Sequence, residues 1–238
     1  MADLKYERIY DLSQPIYGGM PVHPSIAASG LATRLQLNHV PMHLPRRPGV
    51  EPGWPIWHSV ELSSHTGTHI DSQQHVNAHG KSLEEIELDR FMGKGVVLDM
   101  RYLFDRPSTA ITVDDFLKAQ PQVEEGDIVI VDTGWHKKWG HRAYLEEHPG
   151  MDGDSIKEFL VEKKVKMLGI DTICPEVGSE HNHWPHPLHR VCLVENDIPL
   201  LETLGGQIDE VAGKRCYIIA LPIRLQADAG PARAIALI

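Results

Sequence analysis

The chain has 238 residues, 42% of them hydrophobic, with 23 Lys+Arg against 33 Asp+Glu and a formal net charge of −10. That length and apolar content can bury a full core, in one large α/β domain or two small ones. The acidic balance argues against a nucleic-acid partner, which needs a basic face. No apolar run of about 18 residues is present to span a membrane. The charged N-terminus, Met1 to Arg8, lacks an apolar stretch, so no secretory signal is expected and a cytoplasmic location is. Cys174, Cys192 and Cys216 are odd in number and widely spaced. They suggest reduced thiols rather than a disulfide framework or a thiolate zinc site, and none has a catalytic-looking neighbour in sequence.

In chain order, residues 8–17 read as an opening strand ending near Pro15. Residues 20–56 are rich in Pro and Gly and carry His23, His39, His43, Trp54 and the pair Arg46-Arg47. So long a loop inside a domain is usually functional. It reads as a pocket wall or an arm packed on a neighbouring subunit, against the plainer reading of a surface insertion. The stretch from Trp57 to Leu62 alternates like a strand.

Residues 65–75 then read His65-Thr-Gly-Thr-His69-Ile-Asp71-Ser-Gln-Gln-His75. Histidine and carboxylate are borderline ligands suited to Zn²⁺, Mn²⁺ or Fe²⁺. On an extended chain His65, Gly67, His69 and Asp71 share a face. A flat strand would hold His65 and His69 about 13 Å apart at roughly 3.3 Å per residue. The chain must therefore bend at Thr66-Gly67-Thr68, and Gly67 bends at least cost. His75 lies beyond the strand as another ligand or as a general base, since imidazole titrates in the useful range.

Ser82 and Glu85 form a capping box for a helix closed by Gly93. Val96 to Met100 is a buried strand, Thr112 caps a helix through Ala119, and Asp127 to Asp132 is a second buried strand. Asp154 or Ser155 starts a helix through Lys163, and Val165 to Ile170 is a third strand. This alternation implies a central mixed, mostly parallel sheet with flanking helices, with ligands gathering beyond the strand C-termini at Asp132-Thr-Gly-Trp135 and Asp171-Thr-Ile-Cys-Pro-Glu176. A second cluster holds His181, His183, His186 and His189, with a helix from Pro187 to about Glu195. Two strands joined by a Gly-Pro turn close the chain. No repeats, low-complexity tracts or linkers are evident, so residues 1–238 read as one domain.

The pattern His65-x-Gly-Thr-His69-x-Asp71-x-x-x-His75 resembles the signature of the cyclase family of metal-dependent hydrolases, which includes bacterial kynurenine formamidases and isatin hydrolases. Thr133-Gly134-Trp135, Gly169-Ile170-Asp171, Pro187-x-His189 and the closing hairpin extend the resemblance over almost the whole chain. One departure is Gln73, where the family has proline. The resemblance implies a swivelling β/β/α-like α/β domain and a typically oligomeric protein, here a homodimer or homotetramer. It implies metal ligands His65, His69, Asp71, His189 and Glu202, with Glu195 as a competitor for the last. It implies one or two divalent ions, Zn or Mn, and proton transfer by His75. Trp54, Trp57, Trp135, Trp139 and Trp184 bracket these segments and suit a flat aromatic substrate, with Trp54, Trp57 and Trp135 as candidate contacts. The expected activity is hydrolysis of the C–N bond of a small amide or lactam, such as an isatin-like cyclic amide or an N-formyl aromatic amine. Lactone opening, a cyclase or dehydratase step on a polyketide or sugar acid, and metal binding without catalysis are the alternatives.

Overall fold

A computed structural model of the chain describes residues 5–30, 33–39, 56–178 and 186–238. Its strands are β1 (Ile9–Asp11), β2 (Arg34–His39), β3 (Ile56–Glu61), β4 (His69–Asp71), β5 (Met92–Asp99), β6 (Ala110–Ile111), β7 (Ile128–Asp132), β8 (Gly150–Met151), β9 (Met167–Ile170), β10 (Leu200–Glu202), β11 (Lys214–Pro222) and β12 (Ala229–Leu237). Its α-helices are α1 (Pro24–Ala28), α2 (Val113–Lys118), α3 (Arg142–Glu146), α4 (Gly153–Glu162) and α5 (Pro187–His189), the last continuing as a π-helical turn over Arg190–Glu195.

The central sheet closes on itself. Strands run β12-β11-β5-β7-β9-β10-β4, and β4 pairs back onto β12. The β5–β7, β7–β9 and β9–β10 junctions are parallel, and the other four are antiparallel. The sheet is therefore a mixed barrel-like ring, which corrects the expected mostly parallel layer with flanking helices. Closure comes from β12, whose one edge takes β4 at Ala229–Pro231 and β1 at Ile235–Leu237.

Period-two alternation sorts the residues of each wall. Ile70, Val97, Ile128, Ile130, Met167, Leu201, Ile218 and Ala234 fill the inside. Val96, Leu98, Val129, Val131, Leu168, Ile170 and Leu200 face outward against Phe116, Ile156, Leu160 and Leu188 of the covering helices. By the same parity His69, Asp71 and Glu202 stand on the outer face, opposite Ile70 and Leu201.

The helix expected over residues 82–93 is absent. The Ser82–Glu85 capping box forms but starts only a 3₁₀ turn, a second such turn spans Leu88–Phe91, and Gly93 lies within β5. Leu83 and Phe91 both enter the barrel interior, which bends the chain between them. The long helix begins at Gly153, capped by Asp152 rather than by Asp154 or Ser155, with the Ser155 N–H donating to Asp152 Oδ1 at 3.1 Å. Only glycine fits at 153, because a Cβ there would lie 2.7 Å from the Leu188 backbone. That contact seats α5 against α4. The 20–56 segment is less irregular than its composition suggests, since it contains α1 and β2, which pairs antiparallel with β3. Its residues 40–55, with His43 and Trp54, lie outside the described residues. Among the described residues, no helix is long and apolar enough to cross a membrane.

Candidate metal centre and catalytic pocket

The pocket sits on the outer face of the barrel wall, between β4 and α5, and encloses about 600 Å³ including its open mouth. Gly67 makes the bend ahead of β4 at φ +63°. Thr68 Oγ1 donates to Thr203 O at 2.6 Å and accepts from the Gln14 N–H at 2.9 Å, so the bend is tied to two neighbouring segments. β4 then lies between β10 and β12, with His69 directly opposite Glu202.

Five polar side chains from three segments converge here. His65 Nδ1 is 3.0 Å from Asp71 Oδ1 and 3.2 Å from His69 Nε2. His69 Nε2 is 3.4 Å from Asp71 Oδ1 and 3.5 Å from Glu202 Oε2. His189 Nε2 is 3.4 Å from Glu202 Oε1 and 3.8 Å from Asp71 Oδ2. All but His65 are buried.

Each histidine is oriented by an acceptor behind it. His69 Nδ1 is 2.8 Å from the Gly67 carbonyl, His189 Nδ1 is 3.0 Å from Glu176 Oε1, and His65 Nε2 is 2.8 Å from Asp228 Oδ2. With those nitrogens donating outward, the inward nitrogen of each ring offers a lone pair. This arrangement orients metal-binding imidazoles and raises their basicity. Asp71 Oδ1, Asp71 Oδ2 and Glu202 Oε1 are buried with no hydrogen-bond partner. An unsatisfied buried acceptor costs about 1–3 kcal/mol, and more when charged. Inward lone pairs and donor-less carboxylate oxygens are what a divalent cation would satisfy, so the residues fit a metal.

Electrostatics agree. Burial pulls His65 down, but the Asp71 charge and the Asp228 contact prevail and hold it at about 10. Burial likewise opposes, and the Glu176 and Glu202 contacts outweigh it, at His189, also raised to about 10. Burial would raise Asp71, yet the surrounding imidazoles, His65 foremost, keep it well below the usual carboxylate range. Without a cation, protons take its place.

His75 ends a 3₁₀ turn after β4. Its ring centre is 4.3 Å from that of His65 and 5.5 Å from that of His189, and its Nδ1 is 3.3 Å from Asp228 Oδ2. Gln73 stabilises this turn where a proline would otherwise stiffen it. Its amide donates to Asp197 Oδ1 at 3.0 Å and its carbonyl accepts from the Lys81 N–H at 3.2 Å. Glu195 is remote from the cluster and pairs instead with Arg190 and Lys157. His186 caps α5 and lines the pocket, while His181 and His183 lie outside the described residues. His23, Ser25 and Ile26 form a wall, so part of the 20–56 segment does face the pocket.

Trp135 does not reach this space. It is fully buried and backs Ile173 and Cys174, which do line it. The Trp57 side chain, Trp54 and Trp184 fall outside the described residues. Three site residues escape the motif reading. Asp228 bridges His65 and His75 from 153 residues or more away. It ends the connection between β11 and β12, and the Gly230-Pro231 pair expected to turn between those strands lies instead within β12, paired with β4. Glu176 lies in the strand-end stretch already singled out, and its Oε1 also accepts the N–H groups of Leu188 and His189. Cys174 is brought beside His189 and Glu202, a neighbourhood that its sequence surroundings do not reveal.

The family model described as "Putative cyclase" matches residues 10–177. The kynurenine formamidase of Erythrobacter litoralis is 27% identical over 233 residues, spanning 96% of this chain and 93% of its own. That of Bacillus thuringiensis is 27% identical over 183 residues, spanning 74% and 77%. Among solved structures, a potential metal-dependent hydrolase with cyclase activity superposes with a TM-score of 0.70 at 26% identity, over 96% of each chain. Isatin hydrolase A of Ralstonia solanacearum superposes with a TM-score of 0.79 at 22% identity, over 97% of this chain and 92% of its own, a likeness of fold. With its signature histidines gathered at one pocket and the family model covering most of its length, this chain is an enzyme of the cyclase family.

Proposed function

We propose that the enzyme hydrolyses the C–N bond of a small amide or lactam, with one or two divalent ions, Zn or Mn, held by His65, His69, Asp71, His189 and Glu202. The observation that carries this reading is Asp71, whose two oxygens are buried without a donor among three oriented imidazoles. A cation there would polarise a carbonyl and bring the pKa of a water to about 7. The protein's own part is orientation and proton transfer. Glu176, Asp228 and the Gly67 carbonyl fix the rings. His75, with Nδ1 against Asp228, keeps Nε2 for exchange at the pocket mouth. It would take a proton from the attacking water and return it to the leaving nitrogen. The pocket is open on one side, and its cavity volume of about 150 Å³ leaves room for a small molecule only. The kynurenine formamidase and isatin hydrolase relatives support an N-formyl aromatic amine or an isatin-like cyclic amide as the substrate class.

The test is a screen of protein reconstituted with zinc or manganese against aryl formamides, aromatic lactams and lactones. Turnover of a formamide or lactam, abolished by chelation and restored by metal, is expected. Turnover of lactones alone, or activity indifferent to chelation, would overturn the assignment.

A further inference from the structure

The ligand set proposed above contains only nitrogen and oxygen, which leaves zinc and manganese level. One soft atom lies in the same wall. Cys174, in the loop after β9, is buried beside Ile173 and Trp135. Its Sγ, a ring nitrogen of His189 and a carboxylate oxygen of Glu202 all lie within 4.8 Å of one another. His189 Nε2 and Glu202 Oε1 are already 3.4 Å apart, roughly the spacing of two ligands on one tetrahedral ion with bonds of about 2.1 Å. Glu202 Oε1 has no hydrogen-bond partner. The two other thiols are elsewhere, Cys192 in the core beneath the helices and Cys216 on β11.

We propose that Cys174 is a third protein ligand beside His189 and Glu202, and that its sulfur makes this half of the site select zinc over manganese. His65, His69 and Asp71 form a second three-ligand group beside it, with His69 Nε2 3.5 Å from Glu202 Oε2, and hold no sulfur. Three protein ligands with one open position is the arrangement of catalytic zinc sites. Thiolate donors favour zinc, whereas manganese prefers oxygen. Metal binding would replace the thiol proton, which leaves to solvent as the metal–sulfur bond forms.

This inference rests on the metal-site reading, and cobalt separates the two. Metal-free wild type, Cys174→Ser, Cys174→Ala and Cys216→Ser would each be titrated with Co²⁺ and followed by absorption. Wild type and Cys216→Ser should show visible d–d bands together with a near-ultraviolet sulfur-to-cobalt charge-transfer band. Both Cys174 variants should keep the d–d bands and lose the charge-transfer band. Their zinc affinity should fall by at least the roughly 10–100-fold expected for an outer-shell partner, with manganese affinity unchanged. Visible bands without charge transfer in wild type would overturn the cysteine ligand and leave the metal site standing. Charge transfer persisting in the Cys174 variants would overturn it too. Absence of any cobalt band would overturn both readings.

Discussion

Two regions of this molecule bury histidine among aspartates, and they treat their carboxylates in opposite ways. At the ends of β7 and β9, Asp171 takes four donors. Oδ1 accepts from the Thr133 N–H at 3.0 Å and Thr133 Oγ1 at 2.6 Å, and Oδ2 accepts from the His136 N–H at 3.1 Å and contacts His136 Nδ1 at 2.9 Å. His136 Nε2 continues to Asp209 Oδ2 at 3.3 Å. At β4, Asp71 is just as deeply buried and has no placed donor on either oxygen. Composition alone does not separate these clusters. Hydrogen-bond satisfaction does, because native proteins pair almost all buried polar groups and an exception calls for a cause. Even the orphan in the first region has a simpler remedy. Asp132 Oδ2 lacks a partner, and burial together with the Asp171 charge pushes that carboxyl up to about 7, so a proton can neutralise it. Asp71 is held ionised by the imidazoles around it, and a cation is the complement that would replace their protons.

The largest effect expected from this contrast is on metal. His69→Ala removes an inward Nε2 that lies close to both Asp71, at 3.4 Å, and Glu202, at 3.5 Å. It should lose most bound metal by elemental analysis, and activity should fall by more than the roughly 10²–10⁴ that acid–base help contributes. Full metal occupancy in that variant would place the ion elsewhere. Next comes His75→Ala, expected to lower kcat by about 10²–10⁴ with metal content unchanged. Loss of metal together with activity would make His75 a ligand, a role open to it through the group it forms with His65 and Asp228.

Much of the pocket was legible because it is local. His65, His69, Asp71 and His75 fall in eleven residues, and the need to bend at Gly67 follows from strand geometry alone. The β5, β7 and β9 strands were legible as continuous apolar runs. Ring closure was not, because it depends on three-residue β4 pairing with both β10 and β12, and a segment that short carries no periodic signal. Asp228 was invisible as a site residue because only long-range pairing delivers it to His65 and His75, whereas Glu176 lay in a strand-end stretch already singled out, with nothing in the sequence to join it to His189. Trp135 misled because its position after a strand end suggested a pocket. It serves instead as packing behind Ile173 and Cys174.

A smaller effect should come from the satisfied region. Asp171→Asn replaces acceptor capacity for two of four donors by an amide, and buried hydrogen bonds broken in this way cost about 1–3 kcal/mol. Thermal unfolding should show that loss while metal stoichiometry stays at the wild-type value. Loss of metal in Asp171→Asn would break the contrast by making this cluster part of the site.

The smallest expected effect is also the most pH-specific. Asp132 titrates at about 7 in the fold against 3.8 as a free side chain, with burial and then Asp171 as the causes. A carboxyl raised by folding loses stability as it ionises, so its penalty begins as pH climbs past the unfolded value and is complete above the folded one. Asp132→Asn removes that titration. It keeps an oxygen for the Gly134 N–H, which now donates to Asp132 Oδ1 at 2.9 Å. It also gives up attraction to His136 Nδ1 at 3.6 Å and to Arg101 Nε at 3.9 Å, which limits the gain. Relative to wild type, the variant should therefore gain stability as pH rises from 4.5 to 8. The gain should be about 1 kcal/mol, or ~2–4 °C in Tm for a chain of this size. Melting curves of both proteins across that range check it. A variant that loses ground as pH rises would mean that Asp132 stays ionised and is held by His136 and Arg101. The cluster would then be a charge network in its own right rather than a proton-balanced one.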